Sequence, residues 1–187
     1  LVRVAGPEDA DRLAITAARA FANDPLMRWF YPNPNEYAAE VPAIFRAQAQ
    51  RLSAWGHCYT TSDGVAFAGW EPPEHDRVEV ASPPVDHPAE RLERFAAIGE
   101  ALQANHPTEP VWYLQILATH PDWQRQGIGN ALLDAGTARA DRDGLPCYLE
   151  TQTEENAAYY LRHGFAVRSE WDLPLGGPHM WGMIRPA

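Results

Sequence analysis

The stretch Gln124-Arg125-Gln126-Gly127-Ile128-Gly129-Asn130 constrains this chain more than any other. It follows an apolar run, Val111 to Thr119, and a turn at His120-Pro121-Asp122, and it precedes a helix-like run from Ala131 to Ala140. Two glycines just before a helix let the backbone curl so that successive N–H groups face one point. The helix start adds the positive end of its dipole, so the segment reads as a pyrophosphate cradle. Its spacing, Q-x-x-G-x-G, is neither the Walker loop, which needs a lysine, nor the three-glycine Rossmann fingerprint.

The elements around the loop follow from periodicity and turn chemistry. Val2 to Ala5 reads as a strand, and Gly6-Pro7-Glu8 opens a helix to about Ala22, with Leu13, Ala17 and Phe21 at helical spacing. Leu26 to Phe30 gives a turn of helix. Glu36 to Trp55 gives a long helix, with Val41, Ile44, Phe45, Gln48 and Leu52 on one face and Pro42 pointing to a later start. His57 to Thr61 and Val65 to Glu71 form a hairpin across Ser62-Asp63-Gly64. Pro72 to Pro88 is expected to be a surface loop, and Ala89 to Ala104 a helix with Leu92, Phe95, Ile98 and Leu102 inward. Then come a strand at Val111 to Thr119, a helix at Ile128 to Arg142, a strand at Cys147 to Thr151 and a helix at Glu155 to His163 closed by Gly164. Phe165 to Asp172 and Met180 to Arg185 are the last strands. A strand, a gripping turn, a helix and a second strand make a βαβ unit. With its flanking strands it predicts an α/β fold: a central mixed sheet with helices on both faces.

Length and charge narrow the function. A chain of 187 residues with 45% hydrophobic residues suits one domain, residues 1–187, with one sizeable core. No apolar run is long enough to span a bilayer and no signal-peptide pattern is visible, so the expectation is a cytoplasmic protein without a membrane partner. A net charge of −10 argues against nucleic acid as the partner. It is compatible with a cationic amine substrate and equally with simple solubility. All 15 basic residues are arginines, which excludes Schiff-base chemistry on a lysine. Cys58 and Cys147 are far apart, and the seven histidines lack ligand spacing, so neither a disulfide nor a metal site is expected.

The motifs together resemble the GNAT N-acetyltransferase superfamily, and within it the puromycin N-acetyltransferase-like small-molecule enzymes. The matching segments are Glu109-Pro110 with Trp112-Tyr113-Leu114; Pro121-Asp122 with Gln124, Gly127 and Gly129; Gly144-Leu145-Pro146 with Leu149-Glu150-Thr151; and Asn156, Tyr159-Tyr160, Arg162 and Gly164-Phe165. Gly177-Pro178, Trp181, Met183 and Arg185 continue the match, and Ala20-Phe21-Ala22 with Asp24-Pro25 fits near the front. The dense part runs from Glu109 to Pro186; the first hundred residues match mainly in element order.

The resemblance implies acetyl-CoA as co-substrate and a set of site residues. The pyrophosphate would sit on Gln124, Arg125, Gln126, Gly127, Ile128, Gly129 and Asn130, with Arg125 either contacting a phosphate or solvated. The backbone of Leu117, Ala118 and Thr119 would pair with the pantetheine arm and polarise the acetyl carbonyl; Thr119 stands where relatives carry Val. Asn156 would contact the arm. Tyr160, four residues on and on the same helix face, would protonate the leaving thiolate or else merely pack. Val111 to Thr119 contains no acid, so the amine's base falls to Glu150, with Glu71 in reserve and a water relay as the third option. The acceptor pocket is expected from the Phe21 to Phe30 segment, Trp70 with Glu71, Trp112 and the turn near Gly176. Trp29, Phe30, Tyr31, Trp70 and Trp112 would serve as aromatic walls, only some of them lining the site. Asp24 either receives a cationic group or caps the turn before Pro25. The implied acceptor is the primary amine of a small molecule. A peptide N-terminus, or a CoA-binding regulator without turnover, are the rival readings, and the oligomeric state stays open between monomer and homodimer.

Overall fold

The computed structural model describes residues 1–74, 80 and 86–187. Most of the expected 72–88 loop, residues 75–79 and 81–85, lies outside them. Strand β1 (Val2–Val4) leads through a 3₁₀ turn, Pro7–Asp9, into α1 (Ala10–Ala20), followed by α2 (Pro25–Phe30) and α3 (Pro34–Ala54). The hairpin β2 (Cys58–Thr61) and β3 (Ala66–Glu71) comes next, then α4 (Ala89–Asn105) and β4 (Trp112–Thr119). The second half is α5 (Ile128–Asp143), β5 (Cys147–Thr151), α6 (Glu154–Arg162), β6 (Ala166–Asp172) and β7 (His179–Arg185).

The helix starts obey their caps. The Asp24 carboxylate accepts from the N–H groups of Leu26 (3.0 Å) and Met27 (3.1 Å) and starts α2 with Pro25 in the first turn. Asn33 does the same for α3, accepting from Asn35 N–H at 2.9 Å ahead of Pro34. The expected later start of α3 is therefore corrected: the helix begins at Pro34 and runs through Pro42. The lost backbone hydrogen bond there is offset by burial of Val41 and Phe45 on either side. In α4, Phe95 and Ile98 pack against the core as expected, but Leu92 is 53% exposed. Arg91 takes the buried place instead. It donates to Glu40 (2.8 Å), to Glu36 and to the Phe30 carbonyl (3.1 Å), and stacks on the Tyr31 ring at 4.1 Å. Four partners satisfy a guanidinium that would otherwise be costly to bury.

The strands form one seven-stranded mixed sheet in the order β1-β2-β3-β4-β5-β7-β6. β4 and β5 run parallel, and the other neighbouring pairs are antiparallel. The sheet divides the apolar interior in two rather than enclosing the single core expected. One core holds Leu13, Val41, Leu52 and Phe67 beneath α1 and α3; the other holds Trp70, Trp112, Leu132, Leu133 and Met183 beneath α5. A close approach fixes α5: a Cβ at Gly136 would come within 2.1 Å of the Trp70 indole, so only glycine lets the ring lie against the helix.

Strand β4 is irregular on both of its edges. Toward β3, a bulge places Gly69 opposite Ile116 but Trp70 opposite Leu114, leaving Gln115 as an extra residue. Toward β5, pairing covers only Trp112 with Cys147 and Tyr113 with Tyr148, so the two parallel strands part beyond Tyr113.

Candidate active site

The parting of β4 from β5 opens the middle of the sheet. Among the described residues, β4 from Leu114 to Thr119 has no partner on its β5 side, which leaves backbone groups able to pair with an extended, amide-bearing ligand. The chain then turns through Pro121–Trp123, and the Gln124 side chain fastens the turn by donating to the Thr119 carbonyl at 3.1 Å. Arg125 (φ 60°) and Gly127 (φ 77°) are left-handed, and Gly127 caps α5. The backbone N–H groups of residues 125–129 donate to no carbonyl among the described residues; the first helix-type bond is Ala131 N–H to the Gly127 carbonyl. Alternating conformations that free consecutive N–H groups make an anion nest, and the start of the 16-residue α5 adds to its potential. A Cβ at Gly127 would find open space within 4 Å, so the nest is unobstructed.

A cleft of about 460 Å³ lies along this nest. Of the expected cofactor residues, Leu117, Thr119, Gln124, Arg125, Gly127, Ile128, Gly129, Asn130 and Asn156 line it. Ala118 and Gln126 do not: Ala118 is buried in the core under α1 and α3, and Gln126 turns its amide to the Asp122 carbonyl. Trp123, Glu155, Tyr159 and Arg162 also line the cleft. Tyr159 donates to Asn130 Oδ1 at 3.1 Å and so ties α6 to α5. Unpaired N–H groups, a helix N-terminus, two arginines and an open strand edge fit a pyrophosphate with an amide-bearing arm, the chemistry of coenzyme A.

On the other side of the strand gap lies a second cavity of about 320 Å³, and Leu117, Asn156 and Tyr160 line both. Thr153 caps α6 by accepting from Asn156 N–H at 3.1 Å, which sets Asn156 and Tyr160 on the face toward the gap. Burial raises the Tyr160 phenol above its ordinary range, so its proton is firmly held. Glu150, on β5, lines the second cavity. Its Oε2 accepts from the Tyr113 hydroxyl at 2.6 Å, while its Oε1 is buried with no hydrogen-bond partner among the described residues. Burial lifts this carboxyl to about 7, against the opposing pull of the Tyr113 and Tyr148 hydroxyls. It therefore sits at the pH where a carboxylate can both take and return a proton.

The rest of the expected acceptor pocket is redrawn. Asp24 lines the cavity, and its carboxylate caps α2 by accepting from the Leu26 N–H. The aromatic walls do not reach the cavity. Trp29, Phe30 and Tyr31 are buried in the first core, where the Trp29 indole donates to the Leu175 carbonyl at 3.0 Å. Trp70 and Trp112 belong to the second core, and Trp112 donates to Asp143 at 3.1 Å. For Trp70 and Trp112 the physical reason is sidedness, since they pack on the α5 face of the sheet; Trp29, Phe30 and Tyr31 share the first core with the cavity wall and are buried whole within it. Glu71 also lies off the cavity, where it accepts from Gln115. Phe21, Met27, Ile44, Phe45, Ile98, Leu102 and Met180 supply the apolar wall instead.

The Acetyltransferase (GNAT) domain family matches residues 89–167. A Corynebacterium glutamicum protein, described as histone acetyltransferase HPA2 and related acetyltransferase, is similar at 30% identity, over 100% of this chain and 96% of that one, with a TM-score of 0.70. The PaiA N-acetyltransferase of Thermoplasma acidophilum, solved with coenzyme A, shares 13% identity over 100% and 98% of the two chains, with a TM-score of 0.62. The polyamine N-acetyltransferase of Drosophila melanogaster, which forms N-acetylagmatine, shares 12% over 100% and 99%, at 0.66. At those two identities the likeness is one of fold. The chain belongs to the GNAT acetyltransferases. It is an acetyl-CoA-dependent N-acetyltransferase, with acetyl-CoA as co-substrate.

Proposed function

We propose that residues 1–187 form one acetyltransferase domain that moves the acetyl group from acetyl-CoA directly to the primary amine of a small molecule. The observation that carries this reading is the junction at Leu117, Asn156 and Tyr160. There a cleft suited to coenzyme A meets a cavity lined by the Glu150 carboxylate, whose buried Oε1 has no hydrogen-bond partner among the described residues. The acceptor's neutral amine attacks the thioester carbonyl carbon. Its nitrogen forms the new C–N bond and passes its proton to Glu150 Oε1. The C–S bond then breaks, and Tyr160 gives its hydroxyl proton to the departing sulfur. The open edge of β4 supplies N–H groups for the developing oxyanion. Asn156 holds the pantetheine arm, and the nest from Gln124 to Asn130 holds the pyrophosphate. Solvent resets Glu150 and Tyr160 between turnovers.

The motif match to puromycin-type enzymes agrees with a small acceptor, as does a cavity of about 320 Å³ walled largely by apolar side chains. The test is a panel of aminoacyl nucleosides, arylalkylamines, polyamines and short peptides, read by release of free coenzyme A thiol. Turnover with peptides alone would assign the protein to N-terminal acetylation. Acetyl-CoA binding with no thiol release across the panel would make it a CoA-binding module.

A further inference from the structure

Glu150 is held by its neighbours across the sheet as well as by Tyr113, and the consequence rests on the acetyl-transfer reading and deepens it. Glu150 on β5 pairs with Gly182 on β7, and Gly182 pairs in turn with Ser169 on β6. Paired residues share a face, and so do residues two apart along a strand. Tyr148, Glu150, the open position at Gly182 and Ser169 therefore lie side by side. Met180, two residues before Gly182, lines the acceptor cavity together with Glu150, so this is the cavity's face of the sheet. A Cβ at Gly182 would come within 2.7 Å of the Tyr148 hydroxyl and 2.6 Å of Ser169 Oγ. The fully buried Tyr148 side chain thus ends over Gly182, in space that any other residue would fill. Cβ atoms of paired residues lie about 5 Å apart, so a hydroxyl placed there is within reach of the Glu150 carboxylate. That hydroxyl, like Tyr113's, pulls the carboxyl down against the upward push of burial. Its other contact, to the Asn105 carbonyl, is long at 3.4 Å.

We infer that Gly182 is a positioning residue for acetyl transfer: lacking a Cβ, it lets Tyr148 place its hydroxyl beside Glu150 and so favours the carboxylate form that takes the amine's proton. From the other elements around this base, Tyr113 of β4 donates to Glu150, and Asp24 and Tyr160 line the same cavity. His106, after α4, sets its ring 5.1 Å from the rings of both Tyr113 and Tyr148. Glu71 of β3 acts on Tyr113, and Arg168 of β6 acts on Tyr148. Because His106 also titrates, pushed below 6.5 by burial, the test reads the Glu150 carboxyl itself.

Gly182→Ala, Tyr148→Phe and the double variant are made in the full chain. The Glu150 carboxyl is titrated in the ligand-free protein by NMR of carboxyl-labelled glutamate, its signal assigned by its absence from Glu150→Gln. The acid limb of kcat/KM is read by thiol release with whichever amine of the panel is turned over. Each single variant should move the Glu150 titration upward by roughly half to one pH unit, with acetyl-CoA Kd unchanged. The double variant should match Tyr148→Phe, because the Cβ then has no hydroxyl to displace. A Gly182→Ala titration at the wild-type pH, or a double variant shifted by the sum of the single ones, overturns the inference. Should Gly182→Ala not fold, the comparison is made in Ser169→Gly, which removes the 2.6 Å contact and keeps the one with Tyr148. A shifted Glu150 titration with an unmoved acid limb leaves Gly182 placing Tyr148 at Glu150, and removes Glu150 as the base of the acetyl-transfer reading.

Discussion

Replacing Glu150 with Gln is expected to stabilise the ligand-free fold above neutral pH while removing most activity. Glu150 sits in the strand gap with Oε1 unpartnered among the described residues, and burial raises its carboxyl from 4.5 to about 7. A carboxyl that holds its proton more tightly when folded contributes stability that is fully present below pH 4.5. That stability is lost as pH rises through the interval to 7, and the loss is complete above it. At 1.36 kcal/mol per pH unit, the interval from 4.5 to about 7 amounts to about 3 kcal/mol. Gln carries no charge at any pH and its carbonyl can still accept from Tyr113, so the variant escapes the loss. For a chain of this length, about 3 kcal/mol corresponds to roughly 6–12 °C in Tm. Thermal unfolding of wild type and Glu150→Gln, without coenzyme A and from pH 4.5 to 8.5, reads the difference directly. The gap in Tm should open between pH 4.5 and 7 and then level off. A gap that does not change with pH would refute the claim that a desolvated carboxylate sits at this site.

Tyr113→Phe removes a hydrogen bond that holds Glu150 down, so the acid limb of kcat/KM should move upward from about 7 by roughly one pH unit, with acetyl-CoA Kd unchanged; an unmoved limb would show that Tyr113 does not act through Glu150. Tyr160→Phe keeps the ring but loses the proton donor, so kcat should fall by about 10²-fold at every pH, whereas the Glu150→Gln defect should shrink as pH nears the acceptor's own pKa. Gly129→Val should raise the acetyl-CoA Kd by at least ~10-fold, measured by calorimetry, in a protein that still folds. The nearest atom to a Cβ there is the Tyr159 hydroxyl at 3.4 Å, so the new side chain intrudes on the cleft rather than on the core.

The parts of this architecture that the sequence displays are those governed by neighbours along the chain. The phosphate loop is legible because Gly127 and the start of α5 are adjacent, and the Asn156–Tyr160 pairing because α6 is regular. Helix α4 is misread at one turn because the pattern favours Leu92, while Arg91 finds Glu36 and Glu40 some 50 residues away. The part played by Tyr113 is invisible for the same reason: its partner, Glu150, lies 37 residues on, across two elements. Aromatic walls are misplaced because composition identifies a tryptophan but not the side of the sheet it faces. Trp70 and Trp112 answer to α5, not to the gap.

The extra residue in β4 acts as a change of reading frame in mid-strand. Before it, Trp112 and Leu114 face the core beneath α5; after it, Ile116 and Ala118 face the core beneath α1 and α3. An uninterrupted strand keeps all even-numbered side chains on one face, so this sequence is spelled for a strand with one insertion. Deleting Gln115 would therefore leave every remaining side chain facing the core it now fills, because Leu114 and Ile116 would simply alternate as neighbours do. What the deletion removes is the bend that a bulge puts into its strand. Replacing Gln115 keeps that bend and changes one side chain; deleting it spares both cores and alters the path by which β4 leaves β5. One residue thus separates the requirements of folding from those of the opening in the sheet.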